Sequence, residues 1–72
     1  MRITYDPEVD ALYIRLLEGD HECRTLRLTE EISLNLGENE VLVGIEVLDA
    51  KAVLGTVGSP TVVLENVTAA TA

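Results

Sequence analysis

The chain of 72 residues carries 13 acidic and 5 basic side chains, so its net charge is −8, and 47% of its residues are hydrophobic. This hydrophobic fraction is ordinary for a globular domain and argues against wholesale disorder. We expect no binding to nucleic acid or to anionic membranes, because both require clustered Lys and Arg to neutralise phosphate.

Three short strands open the chain, because apolar and polar residues alternate there with a period of two. The first is predicted at residues 2–5 and is followed by a turn at 6–10, where Asp and Pro favour chain reversal. The second strand is predicted at 11–17. A turn rich in polar residues leads to the third strand at 23–29.

Two further strands follow, and they are joined by a hairpin loop at residues 37–40. The first of them, at 32–36, alternates strictly between apolar and polar residues. The second, at 41–48, is apolar on parts of both faces because of Leu42 and Leu48. This pattern predicts a central or covered position for that strand.

The alternation of apolar and polar residues ends after residue 48. A short helix is predicted near residues 49–54, because Asp49 is a plausible N-cap and Gly55 suits the C′ position. The fold class predicted is therefore mainly β: an antiparallel meander of five or six strands with one short helix, a small α+β domain. Residues 1–55 form a single compact β-rich domain in this prediction. Residues 56–72 form a C-terminal extension with a frayed end at 68–72, and its 61–67 segment is a sixth strand on its own sheet or one exchanged with a second subunit.

The small size of the chain predicts self-association. A domain of this length rarely gains more than about 3–5 kcal/mol from its core, and small domains compensate with disulfides, metals or oligomerisation. Cys23 is the only cysteine, so an intrachain disulfide is excluded. We therefore expect a homodimer or a higher even oligomer.

Two stretches of the chain resemble a known family. They read YDPEVDALYIRL at residues 5–16 and LVGIEVLDA at residues 42–50, and they are similar to the paired motifs of the small bacterial family catalogued as domain of unknown function 2283. The resemblance implies a compact antiparallel sheet with a short helix and brings no catalytic residue. It also implies an antitoxin-like role for some members, with a basic toxin as the partner.

The most ligand-rich segment of the sequence contains Asp20, His21 and Cys23. In an extended segment His21 and Cys23 point the same way, so both could reach one transition metal. Two such ligands per chain do not complete a site, but two chains at a dimer axis would supply four. The alternative is an ordinary polar loop.

Three carboxylates are candidates for contact with a basic partner: Glu46, Glu8 and Asp10. Glu46 is the one charged residue inside the most apolar strand. The alternative to a role in partner binding is a structural one, an ion pair across strands with Arg15 or Arg27. Glu8 and Asp10 are otherwise solvated turn charges. The two-residue spacing of Asp6, Glu8 and Asp10 does not make a calcium loop, because the glycine and glutamate that such a loop needs are missing.

The function predicted is a non-enzymatic protein-interaction module that binds a basic protein partner. The alternative is a small metal- or ligand-binding module with its site at a subunit interface. No nucleophile lies beside a base and an orienting acid in the sequence, so no catalytic residue and no cofactor are expected. Residues 1–7 lack the apolar segment of a signal peptide, and no apolar run approaches the roughly 18 residues that span a bilayer, so we expect a cytoplasmic protein.

Overall fold

The computed structural model describes residues 1–70, which form five strands, one 3-10 turn and one short helix. The strands and the helix are, in chain order, β1 (Arg2–Asp6), β2 (Ala11–Arg15), β3 (Arg24–Arg27), β4 (Ile32–Leu36), β5 (Leu42–Val47) and α1 (Ala50–Leu54). The predicted fold class, a mainly β, small α+β domain with an antiparallel sheet, is confirmed.

The five strands form one sheet in the order β1-β2-β5-β4-β3, and every neighbouring pair is antiparallel. The central position predicted for the fifth strand is therefore confirmed. A meander throughout would place β3 beside β2, but β5 lies there instead. The 16–23 connection carries the chain to the far edge of the sheet, about 14 Å across three strand spacings, which eight residues span easily.

Strands β2 and β3 are shorter than predicted. The backbone N–H groups of Leu16 and Leu17 both donate to the carbonyl of Val43, at 2.7 and 3.3 Å, so the regular ladder ends at Arg15. At the other end of the sheet, the N–H groups of Leu28 and Thr29 converge on the carbonyl of Ile32 in the same way. A carbonyl shared by two successive N–H groups interrupts the regular hydrogen-bond pattern of an antiparallel ladder.

The strand register separates the side chains into an apolar face and a polar face. On the apolar face, an upper row crosses four strands and a middle row crosses all five. The upper row consists of Tyr5, Leu12, Val47 and Ile32. The middle row consists of Ile3, Ile14, Ile45, Leu34 and Leu26. Alternate residues, including Thr4, Tyr13, Glu46, Ser33 and Asn35, lie on the polar face.

Helix α1 packs on the apolar face above the upper row. Ala50 is completely buried and forms a small core with Leu12 and Val47, each 6% exposed. Tyr5 and Ile14 pack around it. Because α1 has only five residues, this packing rather than helix propensity holds it in place.

The 61–67 segment is not a strand, so the sheet has five strands rather than six within residues 1–70. Val62, Leu64 and Val67 lie instead beside Met1 and Ile3 at the β1 side of the sheet. The frayed end predicted for 68–72 reaches Thr71 and Ala72, which lie outside the described residues. None of the helices in the described part of the chain is long and apolar enough to cross a membrane.

Candidate functional site

Asp10 connects the β1–β2 turn to helix α1. Its backbone carbonyl accepts a hydrogen bond from the N–H of Ala50 at 3.0 Å. Its carboxylate accepts from the N–H of Lys51, at 3.2 and 3.3 Å to the two oxygens. These N–H groups belong to the first turn of α1 and have no partner inside the helix. Asp10 therefore caps a helix 40 positions away, and the expectation that it is a solvated turn charge is wrong.

The carboxylate of Asp10 also binds the phenol of Tyr5, which donates to Oδ1 at 2.7 Å. This hydrogen bond, with partial desolvation and the nearby negative charges of Asp10 and Asp6, raises the pKa of Tyr5 above its ordinary value. Asp49, which precedes α1, makes no capping hydrogen bond through its side chain and has left-handed backbone angles. The position of the predicted N-cap is correct, but Asp10 supplies the capping carboxylate.

The remaining carboxylates of the β1–β2 turn face solvent. Asp6 Oδ1 accepts a hydrogen bond from the N–H of Glu8 at 2.9 Å, which is the local bond of an Asx turn. The side chain of Glu8 is exposed, so of the two turn residues proposed to contact a partner, Glu8 is accessible and Asp10 is engaged within the chain.

Glu46 lies on the polar face, opposite Tyr13 on β2 and Ser33 on β4. The expected ion pair with Arg15 or Arg27 is not formed among residues 1–70. The register explains this, because Arg15 lies opposite Gly44 and β4 separates Arg27 from Glu46. Glu46 is half-buried.

The polar face also contains a close packing of Tyr13 over Gly44. A Cβ atom at Gly44 would lie only 2.0 Å from Tyr13 Oη. The Tyr13 hydroxyl accepts a hydrogen bond from Asn35 Nδ2 at 2.9 Å, which holds the ring across β5. Sequence alone allows either a bulge or a close approach at Gly44, and the structure shows both. The Tyr13 ring lies over Gly44, and the β4–β5 register shifts beside it, since Asn35 pairs with Gly44 but Leu36 pairs with Leu42.

Asp20, His21 and Cys23 lie in the exposed 16–23 connection. His21 Nε2 is hydrogen-bonded to the carbonyl of Glu18 at 2.8 Å, and the Cys23 thiol approaches the carbonyl of His21 at 3.5 Å. Asp20 and His21 line an open groove of about 620 Å³, and Cys23 is not part of its lining. Across residues 1–70, no three His, Cys, Asp or Glu side chains are grouped closely enough to hold a metal ion.

The ion pairs of the described residues all lie at one end of the sheet. Glu18 pairs with Arg2 and Arg15, and Glu40 pairs with Arg24. The hydrogen bonds and charge of Arg24 hold the pKa of the Glu40 carboxyl below its ordinary value. At this end, therefore, the basic side chains neutralise part of the acidic charge.

The opposite end of the sheet has no such ion pair within residues 1–70, although two basic residues, Arg27 and Lys51, also lie there. The Arg27 guanidinium donates to the backbone carbonyl of Glu30 at 2.7 Å. The β1–β2 turn, the β3–β4 turn and the β5–α1 link meet there, joined by backbone bonds from Leu48 to Glu31 and from Ala50 to Asp10. We call this surface the acidic end and define it by Asp6, Glu8, Glu30, Glu31 and Asp49. No ion pair within residues 1–70 involves any of these five carboxylates. Sequence reasoning missed Glu30, Glu31 and Asp49, because only the strand order shows that these separate turns share one end.

Comparison with known proteins identifies the family. A family described as Protein of unknown function (DUF2283) matches residues 2–51. This range covers all five strands and the first residues of α1, and the chain belongs to this family. The search of curated proteins found no match. No solved structure matches either.

Proposed function

We propose that the chain is a non-enzymatic protein-interaction module that binds a basic protein partner through the acidic end. The observation that carries the proposal is the unequal pairing of charge along the sheet. The five carboxylates of the acidic end have no ion pair among the described residues, whereas Glu18 and Glu40 at the opposite end are paired with arginines. Asp6 and Glu31 accept internal hydrogen bonds, but their negative charge is not neutralised by an ion pair and can attract an external cation.

The net charge of −8 supports the same proposal. A strongly acidic surface attracts a basic partner over several ångströms and increases the association rate, and added salt screens this attraction. Glu8 is exposed at the centre of the β1–β2 turn, so it is the carboxylate that we expect to contribute most directly. Glu46 is half-buried on the polar face, and we propose it as a further contact for the same partner.

We propose a basic toxin as the partner class, following the antitoxin-like role that the resemblance implies for some members of the family. Charge complementarity is the physical basis of this assignment, since a toxin that acts on nucleic acid carries a basic surface. The acidic end would cover part of that surface.

The test compares two triple variants with the same change in charge. Glu8→Gln/Glu30→Gln/Glu31→Gln neutralises the acidic end, and Asp20→Asn/Glu22→Gln/Glu38→Gln neutralises three carboxylates at the opposite end. The wild type is purified with its partner at an ionic strength of about 50 mM and washed at about 500 mM. We expect a basic polypeptide, identified by mass spectrometry, to be lost at high salt and lost with the first variant only. Equal retention by both variants, or a bound polypeptide that is not basic, contradicts the proposal.

A second candidate function is metal or ligand binding at a subunit interface by Asp20, His21 and Cys23. The observation that favours it is the groove, which Asp20 and His21 line together. Metal content measured on protein purified without chelator tests this candidate. A bound ion that survives in the His21→Ala/Cys23→Ala variant contradicts it.

A further inference from the structure

The middle row of the apolar face is only partly covered by residues 1–70. Its five residues lie side by side across the whole sheet and are all Ile or Leu. Ile3 and Leu26, at the two edges, are each 39% exposed, and the three residues between them are only half-buried. In the upper row, by contrast, Leu12 and Val47 are 6% exposed because Ala50 packs on them.

The sheet also lacks a second layer within residues 1–70. The extensive contacts between elements all join neighbouring strands, and α1 contributes only a small contact at one end. A sheet with one apolar face normally buries it against another sheet or against helices. The C-terminal segment does not supply this layer, because its Val62 and Leu64 remain more than half exposed.

The surface area of the chain is large for its mass. A compact monomer of 7.8 kDa is expected to expose about 4,400 Å², whereas this chain exposes 5600 Å². The radius of gyration, 13.1 Å, exceeds the value of about 11 Å for a compact chain of this length. The excess in surface area is ~1,200 Å², and part of it belongs to the exposed C-terminal segment. The whole excess is larger than the ~800 Å² that each partner buries in a standard interface.

The charges on the apolar face favour a second copy of this chain over a basic partner. The strand residues on this face include no carboxylate, and their one charged residue, Arg24, is paired with Glu40. A basic partner would therefore find no opposite charge there. A second copy brings a matching apolar row, and its acidic turns lie at the ends of the sheet rather than on this face.

We propose that two copies of the chain pack their apolar faces together about a two-fold axis, with the middle row of each at the centre of the interface. The product is a two-layer sandwich in which each α1 lies at one end of the interface. The polar face of each sheet and the acidic end of each chain remain outside. This assembly is independent of the basic partner proposed above.

The test uses two neighbouring residues of the edge strand β3 that lie on opposite faces. Leu26 belongs to the middle row, whereas Thr25 lies on the polar face beside Asn35. Sedimentation equilibrium should give the wild type twice the chain mass of 7.8 kDa. Leu26→Glu should raise the dimer dissociation constant at least about hundredfold, because each interface would bury two unpaired carboxylates. Thr25→Glu, with the same added charge, should remain dimeric.

A second pair of variants with smaller changes is used if circular dichroism shows that Leu26→Glu does not fold. Leu26→Ala should raise the dissociation constant about tenfold or more, since both copies lose a buried side chain, and Thr25→Ala should leave it unchanged. A wild type that is monomeric at about 100 μM, a concentration that saturates micromolar dimers, overturns the proposal. Equal effects of the Leu26 and Thr25 variants also overturn it, as does a wild type found only with a different polypeptide.

Discussion

Asp10 joins two parts of the chain that are distant in sequence, the β1–β2 turn and helix α1. Its backbone φ of 53° is in the left-handed region, which Asp and Asn tolerate better than other side chains. In this conformation its carbonyl and carboxylate both reach the first turn of α1, and Tyr5 donates to the same carboxylate. The one turn residue thus fixes the helix on the sheet.

We expect Asp10→Ala to destabilise the fold by about 1–3 kcal/mol. The change removes the acceptor of the Lys51 N–H and of the Tyr5 hydroxyl, and it places a less tolerant residue at positive φ. Urea denaturation followed by circular dichroism measures the loss. Asp10→Asn, which keeps an acceptor oxygen and tolerates the same φ, should lose less, and Glu8→Gln should lose nothing measurable. An Asp10→Ala variant as stable as the wild type would show that the cap is unimportant.

The titration of the Tyr5 phenol makes the free energy of unfolding depend on pH in the alkaline range. Because its pKa in the folded protein is raised above 10.0, the stabilisation is complete below pH 10 and is lost as the pH rises through the folded-state pKa. We expect Asp10→Ala to move the pKa of Tyr5 back towards its ordinary value. Titration of the Tyr5 ring resonances by NMR measures this change, and an unchanged pKa in the variant would refute the assigned cause. Tyr5→Phe, which lacks the titrating group, should lose this alkaline dependence.

Strand β5 organises the sheet at the next scale. It pairs with β2 on one side and β4 on the other, and Gly44 near its middle leaves room for the Tyr13 ring on the polar face. The Asn35 amide from β4 completes the contact by donating to the Tyr13 hydroxyl. Three strands are thereby held in one register by a single aromatic side chain, because a one-residue slip would bring Tyr13 against a side chain instead of a glycine.

We expect Gly44→Ala to cost about 1–3 kcal/mol of unfolding free energy. The added methyl would lie 2.0 Å from Tyr13 Oη, so the ring must move and lose its bond to Asn35. In a Tyr13→Ser background the same substitution should cost much less, and a double-mutant cycle measures the difference. Gly58→Ala, where an added Cβ meets nothing within 4 Å, is the matched control. Equal costs in both backgrounds would show that Tyr13 is not the obstacle.

The local elements were predictable because their signals are local. Alternation located all five strands, the Asp-Pro pair located the first turn, and Gly55 located the end of α1. The exact ends of β2 and β3 were not predictable, since they depend on where Val43 and Ile32 offer a shared carbonyl. For the candidate site, the exposure of Glu8 followed from its place in a turn, but the helix cap by Asp10 did not, because its partners lie 40 positions away or more.

At the scale of the whole molecule, the chain separates three surfaces. We propose a second copy as the partner of the apolar face and a basic protein as the partner of the acidic end, while the opposite end holds the ion pairs of Glu18 and Glu40. The C-terminal segment after α1 lies beside β1 without joining the sheet. Its removal therefore separates two explanations of self-association, namely packing of the apolar faces and exchange of the 61–67 segment.

We expect a variant that ends at Gly58 to keep the sheet and the dimer. Thr56 closes α1 through its N–H bond to the carbonyl of Lys51 at 2.9 Å, so the cut must follow it. The removed segment buries little apolar surface, and the loss of unfolding free energy should be less than about 1–2 kcal/mol. Circular dichroism and sedimentation equilibrium measure both properties. A truncated chain that is folded but monomeric would favour segment exchange over packing of the apolar faces.

The strands, the turns, the short helix and the net negative charge could be read from the order of the residues, because each depends on neighbours a few positions apart. The strand order, the partly covered middle row and the gathering of acidic turns at one end arose only in the tertiary structure. They depend on which strands become neighbours, and the strand order is determined by the joint burial of side chains that are far apart in the chain. In this protein β5 is central and pairs with both β2 and β4.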